Sequence, residues 1–200
     1  MLVAIDGVDG AGKTVFADAL AEYLRVLDNQ VQRVSLDNFH QPRDVRYRLG
    51  STSPEGFWLD SYDYRLLDDY VFSGLAAEGT GWFREAGHDL DSDERLSPPA
   101  TFAPPGSITI VDGMFLHRKE VRQRWDYSVF LAVPFRVTAE RMAKRDGTPA
   151  DPEHPAMQRY VGGQRLYLDA CAPGSRATLL VDNTDPRVPV VVRSEGDLPQ

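Results

Sequence analysis

The chain has 200 residues, 42% of them hydrophobic and 26% charged, with a formal net charge of −8. That length suits one α/β domain with a substantial core and calls for no second folded unit. The acidic balance excludes a general nucleic-acid binder, which needs a basic face, and a single cysteine, Cys171, excludes an intrachain disulfide and a Cys-based zinc site.

Leu2 to Ile5 is a short apolar run that predicts a strand buried on both faces. Gly7-Val8-Asp9-Gly10-Ala11-Gly12-Lys13-Thr14 then matches G-x-x-x-x-G-K-[ST] at every fixed position. Such a loop turns its backbone N–H groups around a polyphosphate, Lys13 adds a point charge, and the Thr14 hydroxyl can ligate Mg²⁺. Val15 to Leu24 follows with apolar residues at helical spacing, the context the motif requires, so nucleotide binding is expected.

Gln30 to Leu36 predicts a second strand that ends at Asp37-Asn38-Phe39-His40. Ligands of open α/β sheets collect beyond the carboxyl ends of the strands, which puts Asp37 on the edge that carries the glycine loop. The alternative for Asp37 is a cap on the next turn. Residues 41–60, with Pro42, Gly50, Pro54 and Gly56 among Arg43, Arg46 and Arg48, read as a long irregular segment. Tyr62, Leu66, Leu67 and Tyr70 predict an amphipathic helix over 61–72, capped by Asp60 or Ser61. Asp63 then lies in its first turn, where favourable charge at a helix N-terminus accounts for it as well as a ligand role does.

Gly79 to Gly87, containing Trp82, Phe83 and Arg84, reads as one arm of a hairpin without an evident partner. Asp89 to Glu94 reads as a solvated turn, and Pro98-Pro99 with Pro104-Pro105 as a stiff connection. Ser107 to Gly113 is a buried strand ending in Asp112, the arrangement of a Walker-B acid, although four apolar residues and an Asp also recur by chance. A short helix over 121–125 and a core strand over 127–133 follow. The next helix, Phe135 to Arg145, carries Arg141 and Arg145 one turn apart; it is either a solvated surface or a mobile lid over a γ-phosphate. Met157 to Leu168 predicts a helix bearing Gln158, Arg159 and Arg165, weakened or bent at Gly162-Gly163. Ala177 to Val181 is the fifth strand, Val188 to Val192 is a candidate edge strand, and the last residues are expected to fray.

Together these landmarks resemble the uridine kinase family of P-loop nucleoside kinases, over residues 2–185. The resemblance is carried by Asp6–Thr14, Ser35–His40, Asp60–Tyr64, Ile110–Leu116, Arg141–Asp146 and Arg159–Val161. The first stretch is common to many NTPases, so the others carry the likeness. It implies a three-layer P-loop NTPase fold: a five-stranded parallel sheet with helices on both faces, a hairpin insertion at 79–97 and a helical lid at 135–160, in one domain spanning 1–200. It also implies transfer of the ATP γ-phosphate to a nucleoside 5′-hydroxyl, uridine or cytidine first, with Mg²⁺.

By position in that family, Asp37 looks like the catalytic base with a share in the metal, Asp63 like the carboxylate on the ribose hydroxyls, and Asp112 with Thr14 like the magnesium site. Lys13, Arg141 and Arg145 fall where the phosphates are gripped. Phe39, Tyr64, Trp82, Phe83, Arg84, His88, Gln158 and Arg159 fall on the acceptor side. The chain departs from the pattern in having Asp112 where well-known uridine kinases have Glu, and in a hairpin whose only nearby base-reading candidate is His88. Other acceptors, such as pantothenate, nicotinamide riboside or a sugar phosphate, remain alternatives, as does a non-catalytic ATP-binding regulator. The expected partner is a small-molecule acceptor, with no nucleic acid and no membrane, and a homo-oligomer stays open. No run approaches eighteen apolar residues and no basic leader precedes the first strand, so a cytoplasmic location is expected.

Overall fold

Strand β1 (Leu2–Gly7) is buried along its whole length and runs through the glycine loop into helix α1 (Lys13–Val26). In this computed structural model, which describes residues 1–194, the chain continues into β2 (Val31–Ser35) and a 3-10 turn over Leu36–Phe39. The short helices α2 (Arg43–Arg46), α3 (Pro54–Asp60) and α4 (Tyr64–Leu67) come next, and a π-helical turn over Asp68–Phe72 leads to α5 (Ser73–Leu75). Two small strands, β3 (Trp82–Phe83) and β4 (Thr101–Phe102), precede β5 (Ile108–Gly113) and β6 (Tyr127–Ala132). The chain ends with α6 (Phe135–Asp146), α7 (Gln158–Cys171), α8 (Pro173–Arg176), β7 (Leu179–Asp182) and β8 (Val190–Ser194).

Five strands run parallel in the order β2-β5-β1-β6-β7, and β8 adds a sixth, antiparallel to β7. The sheet is therefore six-stranded rather than five-stranded. The connection from β7 to β8 is a short turn closed by the Val188 N–H on the Asp185 carbonyl (3.0 Å), and a return that short can only run antiparallel. Side chains of β1 alternate between two cores. Val3 and Ile5 pack with Ala17 and Ala21 of α1, whereas Leu2 and Ala4 join Phe57 of α3 and Tyr167 and Cys171 of α7. Helices thus cover both faces.

Several local expectations change. Residues 41–60 are largely helical, because the Ser53 hydroxyl caps α3 by accepting the Gly56 N–H (3.0 Å) and Pro54 occupies its first turn. α7 runs unbroken through Gly162 and Gly163. They are where it meets α3: a Cβ on them would come within 2.9 Å of the Pro54 ring and 2.7 Å of the Pro54 carbonyl. The helix expected after residue 60 starts at Tyr64, and its cap is Asp63, whose Oδ1 accepts the Leu66 N–H (3.0 Å). The expected caps lie at the end of α3 instead, Asp60 as its last residue and Ser61 as its C-cap, whose hydroxyl donates to the Phe57 carbonyl (2.6 Å). Residues 121–124 form turns rather than a helix. The expected fraying falls on 195–200, outside the described residues. No helix among the described residues is long and apolar enough to cross a membrane.

The partner of β3 is β4, with Trp82 opposite Phe102, so the hairpin extends past residue 97. The pair sits at the end of the sheet where β1 and β5 begin: Gly81 and Phe102 share a cavity with Met1, Leu2 and Ser107. The chain then climbs to the other end, where the Gly87 and His88 N–H groups donate to the Asn38 carbonyl (2.9 and 3.0 Å).

Below the glycine loop lies the fully buried Asp6. Its Oδ1 accepts the Gly7 N–H (2.7 Å), and its Oδ2 meets His117 Nδ1 (2.6 Å) and the Tyr167 hydroxyl. Removing one partner of a buried carboxylate leaves charge without compensation. His117→Ala is expected to lower unfolding free energy by about 3 kcal/mol in urea titration. A loss below about 1 kcal/mol would show that Asp6 is satisfied without it.

Candidate functional site

The glycine loop occupies the carboxyl end of β1, between β5 and β6. Gly10 (φ 73°) and Gly12 (φ 90°) hold left-handed conformations that side chains resist, and Gly12 caps α1. A Cβ at Gly10 would also come within 2.8 Å of the Thr138 carbonyl on α6. The loop is braced from three sides. Gln164 of α7 accepts the Asp9 N–H (2.8 Å), Arg141 of α6 donates to the Gly10 carbonyl (3.2 Å), and the Asn183 amide donates to the Ala11 carbonyl (2.8 Å). Lys13 Nζ donates to the Val8 carbonyl (3.0 Å), arching back over the loop.

Register brings Asp112 to this loop, since Ile5 lies opposite Asp112 in the β1–β5 pair. Both carboxylate oxygens of this buried acid are engaged: Oδ2 accepts from the Thr14 hydroxyl (2.7 Å) and Oδ1 from Arg33 Nη2 (3.0 Å). Arg33 also donates to Asp18 (3.0 Å) and to the Ile110 carbonyl (3.0 Å), so a fixed cation offsets the buried charge. Asp37 follows β2 on the same edge and is exposed, with its Oδ1 accepting from the Tyr62 hydroxyl (3.0 Å). Asp63 is drawn beside this turn by its own N–H, which donates to the Phe39 carbonyl (2.8 Å). Burial lowers the pKa of His40, whose Nδ1 lies 2.8 Å from the Asp37 carbonyl, so its ring is neutral near pH 7.

Arg141 and Arg145 of α6 differ. Arg141 spends its guanidinium on the carbonyls of Gly10, Asn183 (2.9 Å) and Thr184 (3.0 Å), as a brace. Arg145 is two-thirds exposed, pairs with Asp146 (2.7 Å) and lies 3.8 Å from Asp9 of the loop; its hydrogen bond to Asp146 holds it firmly cationic.

Most of the expected acceptor-side residues are used in packing. Phe39 is fully buried against Tyr70 (6.4 Å between ring centroids), and Phe83 lies in the same core. Trp82 stacks on Phe102 (5.2 Å) at the far end of the sheet. Arg84 bonds the Pro98 carbonyl and lies over the Tyr70 ring (5.6 Å). Tyr64 lies under the Arg118 guanidinium (5.1 Å). Buried Arg159 donates to the carbonyls of Arg46 (2.8 Å), Gly50 and Ser53 (both 3.1 Å). Gln158 is exposed beside Pro54 and Arg165. His88 does reach the Asp37 side, buried 3.2 Å from Asp93, which turns inward from a stretch expected to be solvated and also accepts the Arg43 N–H (2.9 Å). Sequence reasoning gave no site role to Arg33, Tyr62, Gln164 or Asn183; of these only Tyr62 sat in a stretch that carries the resemblance, Asp60–Tyr64.

No family model matches the chain. Over 152 residues it is 25% identical to the uridine kinase of Proteus mirabilis (strain HI4320), covering 72% of this chain and 68% of that one. Among solved structures it is similar to a possible uridine kinase from Bacillus stearothermophilus (TM-score 0.70, 23% identity, covering 90% of this chain and 87% of that one). It is also similar to phosphoribulokinase from Rhodobacter spheroides (TM-score 0.59, 14% identity, covering 90% and 69%).

The one side-chain hydrogen bond of Lys13 among the described residues is to its own loop, so Lys13→Ala is expected to leave the melting temperature of the free protein unchanged. It should abolish the rise that ATP with Mg²⁺ gives the unaltered protein, about 5–10 °C at saturating nucleotide. An undiminished rise in the variant would contradict the phosphate-loop assignment.

Proposed function

We propose that this chain, a homologue of uridine kinase with the fold of the P-loop kinases, transfers the γ-phosphate of ATP to the 5′-hydroxyl of a nucleoside, uridine or cytidine first. The observation that carries the reading is the convergence of Asp37, Asp63 and the glycine loop on one sheet edge. It sets a carboxylate that can take a proton beside one that can hold a diol, facing a loop suited to polyphosphate.

Backbone N–H groups of residues 10–14 and Lys13 would hold the phosphates. Among the described residues no group of three or more His, Cys, Asp or Glu is arranged to hold a metal alone. Thr14 with Asp112 behind it would hold Mg²⁺, which would supply charge neutralisation there. Asp37 receives the acceptor proton, Asp63 orients the acceptor, and Arg145, swinging from Asp9, meets charge on the transferring group.

A second reading, a smaller alcohol such as a sugar or a sugar phosphate, is favoured by one observation. Phe39, Trp82 and Phe83, the aromatic residues that could have stacked on a base, are buried or paired elsewhere. The likeness to phosphoribulokinase agrees with it. A panel of uridine, cytidine, pantothenate, nicotinamide riboside and a sugar phosphate with ATP and Mg²⁺ separates the two. Higher kcat/KM for uridine or cytidine is expected, and preferred turnover of another alcohol would replace the nucleoside reading.

The two acids should fail differently. Asp37→Asn keeps shape but loses the base, so kcat should fall about 10²- to 10⁴-fold with acceptor binding retained. Asp112→Asn should raise the Mg²⁺ concentration for half-maximal rate, because negative charge next to Thr14 is removed. Rescue of Asp37→Asn, and not of Asp112→Asn, by excess Mg²⁺ would exchange their roles.

A further inference from the structure

Tyr62 is the one side chain that holds the carboxylate of Asp37 among the described residues. The two arise from different parts of the chain, yet the turn after β2 and the segment before α4 are zipped together. The Gln41 N–H donates to the Ser61 carbonyl (2.9 Å), the Asp63 N–H to the Phe39 carbonyl (2.8 Å), and His40 bridges Tyr62. The Tyr62 ring is 3% exposed and wedged between the rings of His40 (4.5 Å) and Phe115 (6.1 Å). A ring fixed this firmly delivers its hydroxyl to one place, 3.0 Å from Oδ1 of Asp37. Asp37 itself is exposed and free to rotate without that bond. Oδ2 accepts no hydrogen bond from the described residues.

We propose that Tyr62 is a positioning residue for Asp37, its hydroxyl clamping Oδ1 so that Oδ2 stays oriented to receive the acceptor proton. The proposal rests on the reading of Asp37 as base. In the step it serves, the acceptor oxygen bonds the γ-phosphorus as the bond from that phosphorus to the β,γ-bridging oxygen breaks. ADP leaves with that oxygen, and the hydroxyl proton passes to Oδ2. Burial and the adjacent Asp37 charge hold the phenol well above its ordinary pKa, so it stays a donor throughout. The charged groups around Asp37 include Asp63, tied to the same turn, and Arg145 of α6, with Asp9 of the loop beyond.

Tyr62→Phe removes the hydroxyl and keeps the packing. With uridine and ATP·Mg²⁺, kcat is expected to fall about tenfold, the size of one charge-assisted hydrogen bond, while both KM values stay within about twofold. In an Asp37→Asn background the same change should cost less than about twofold, because the clamped base is already gone. Unchanged kcat in Tyr62→Phe, or losses that multiply in the double variant, would overturn the proposal. A spectroscopic arm needs neither turnover nor a folded Tyr62 variant. The buried Tyr62 hydroxyl proton should give a low-field NMR resonance in the ligand-free protein that moves upfield in Asp37→Asn. A resonance indifferent to Asp37→Asn would refute the clamp on its own. Full activity of Asp37→Asn would instead count against Asp37 as base, and no turnover of any alcohol against the kinase reading, while the resonance would still decide the contact.

Discussion

The hydrogen bond from Thr14 to Asp112 joins the start of α1 to the end of β5, and the rest of the site is arranged around it. It requires β1 and β5 to be neighbours in the right register, which the parallel pairing of Ile5 with Asp112 provides. It also requires a buried carboxylate to be tolerated, and Arg33 meets that requirement from the adjacent strand. A carboxylate held by one neutral and one cationic donor keeps a fixed orientation, so the charge next to Thr14 is preorganised rather than recruited on binding.

The glycine loop above this bond is also set in advance. Gln164, Arg141 and Asn183 reach it from α7, α6 and the exit of β7, each bonding a different peptide unit. Asp6 fastens the loop from below through the Gly7 N–H. Loops cost conformational entropy to order, and four bonds from separate elements distribute that cost over the fold instead of leaving it to the ligand. Arg145 stands apart from Arg141 in that its partners are carboxylates, exposed Asp146 and half-buried Asp9, which a polyanion can displace.

On the acceptor side the organising feature is an aromatic seam. Phe115 touches Phe57 (5.5 Å), Trp58 (5.2 Å), Tyr62 (6.1 Å) and Tyr167 (5.0 Å), tying α3 and α7 to the segment that carries Asp63. Burying an aromatic ring is worth about 1.5–3 kcal/mol, so rings that can reach the seam or the core do so. This is why Phe39 and Phe83 lie inside and not against a ligand. Around the turn after β2 the groups left are polar: Asp37, Asp63, neutral His40 and the inward-turned Asp93 with Arg46 (3.3 Å).

The units that sequence alone determined are those whose logic is local. The buried strand, the glycine loop with its Lys13-Thr14 ending, the helix after it and the strand ending in Asp112 are each written in consecutive residues, and each formed as read. The sixth strand was only a candidate from valine content, since edge pairing depends on a turn closed by Asp185. Tertiary structure alone decided which polar side chains remain free for chemistry. Arg159 looked available until α2 and the segment leading into α3 brought three carbonyls to it, and Tyr62 read only as part of an amphipathic helix until the zipped turns put its hydroxyl on Asp37. Gln164 and Asn183 meet the glycine loop across 155 and 172 residues of chain. Spacing rules describe contacts within one helix or strand, and donors at such separations acquire partners only when the layers pack.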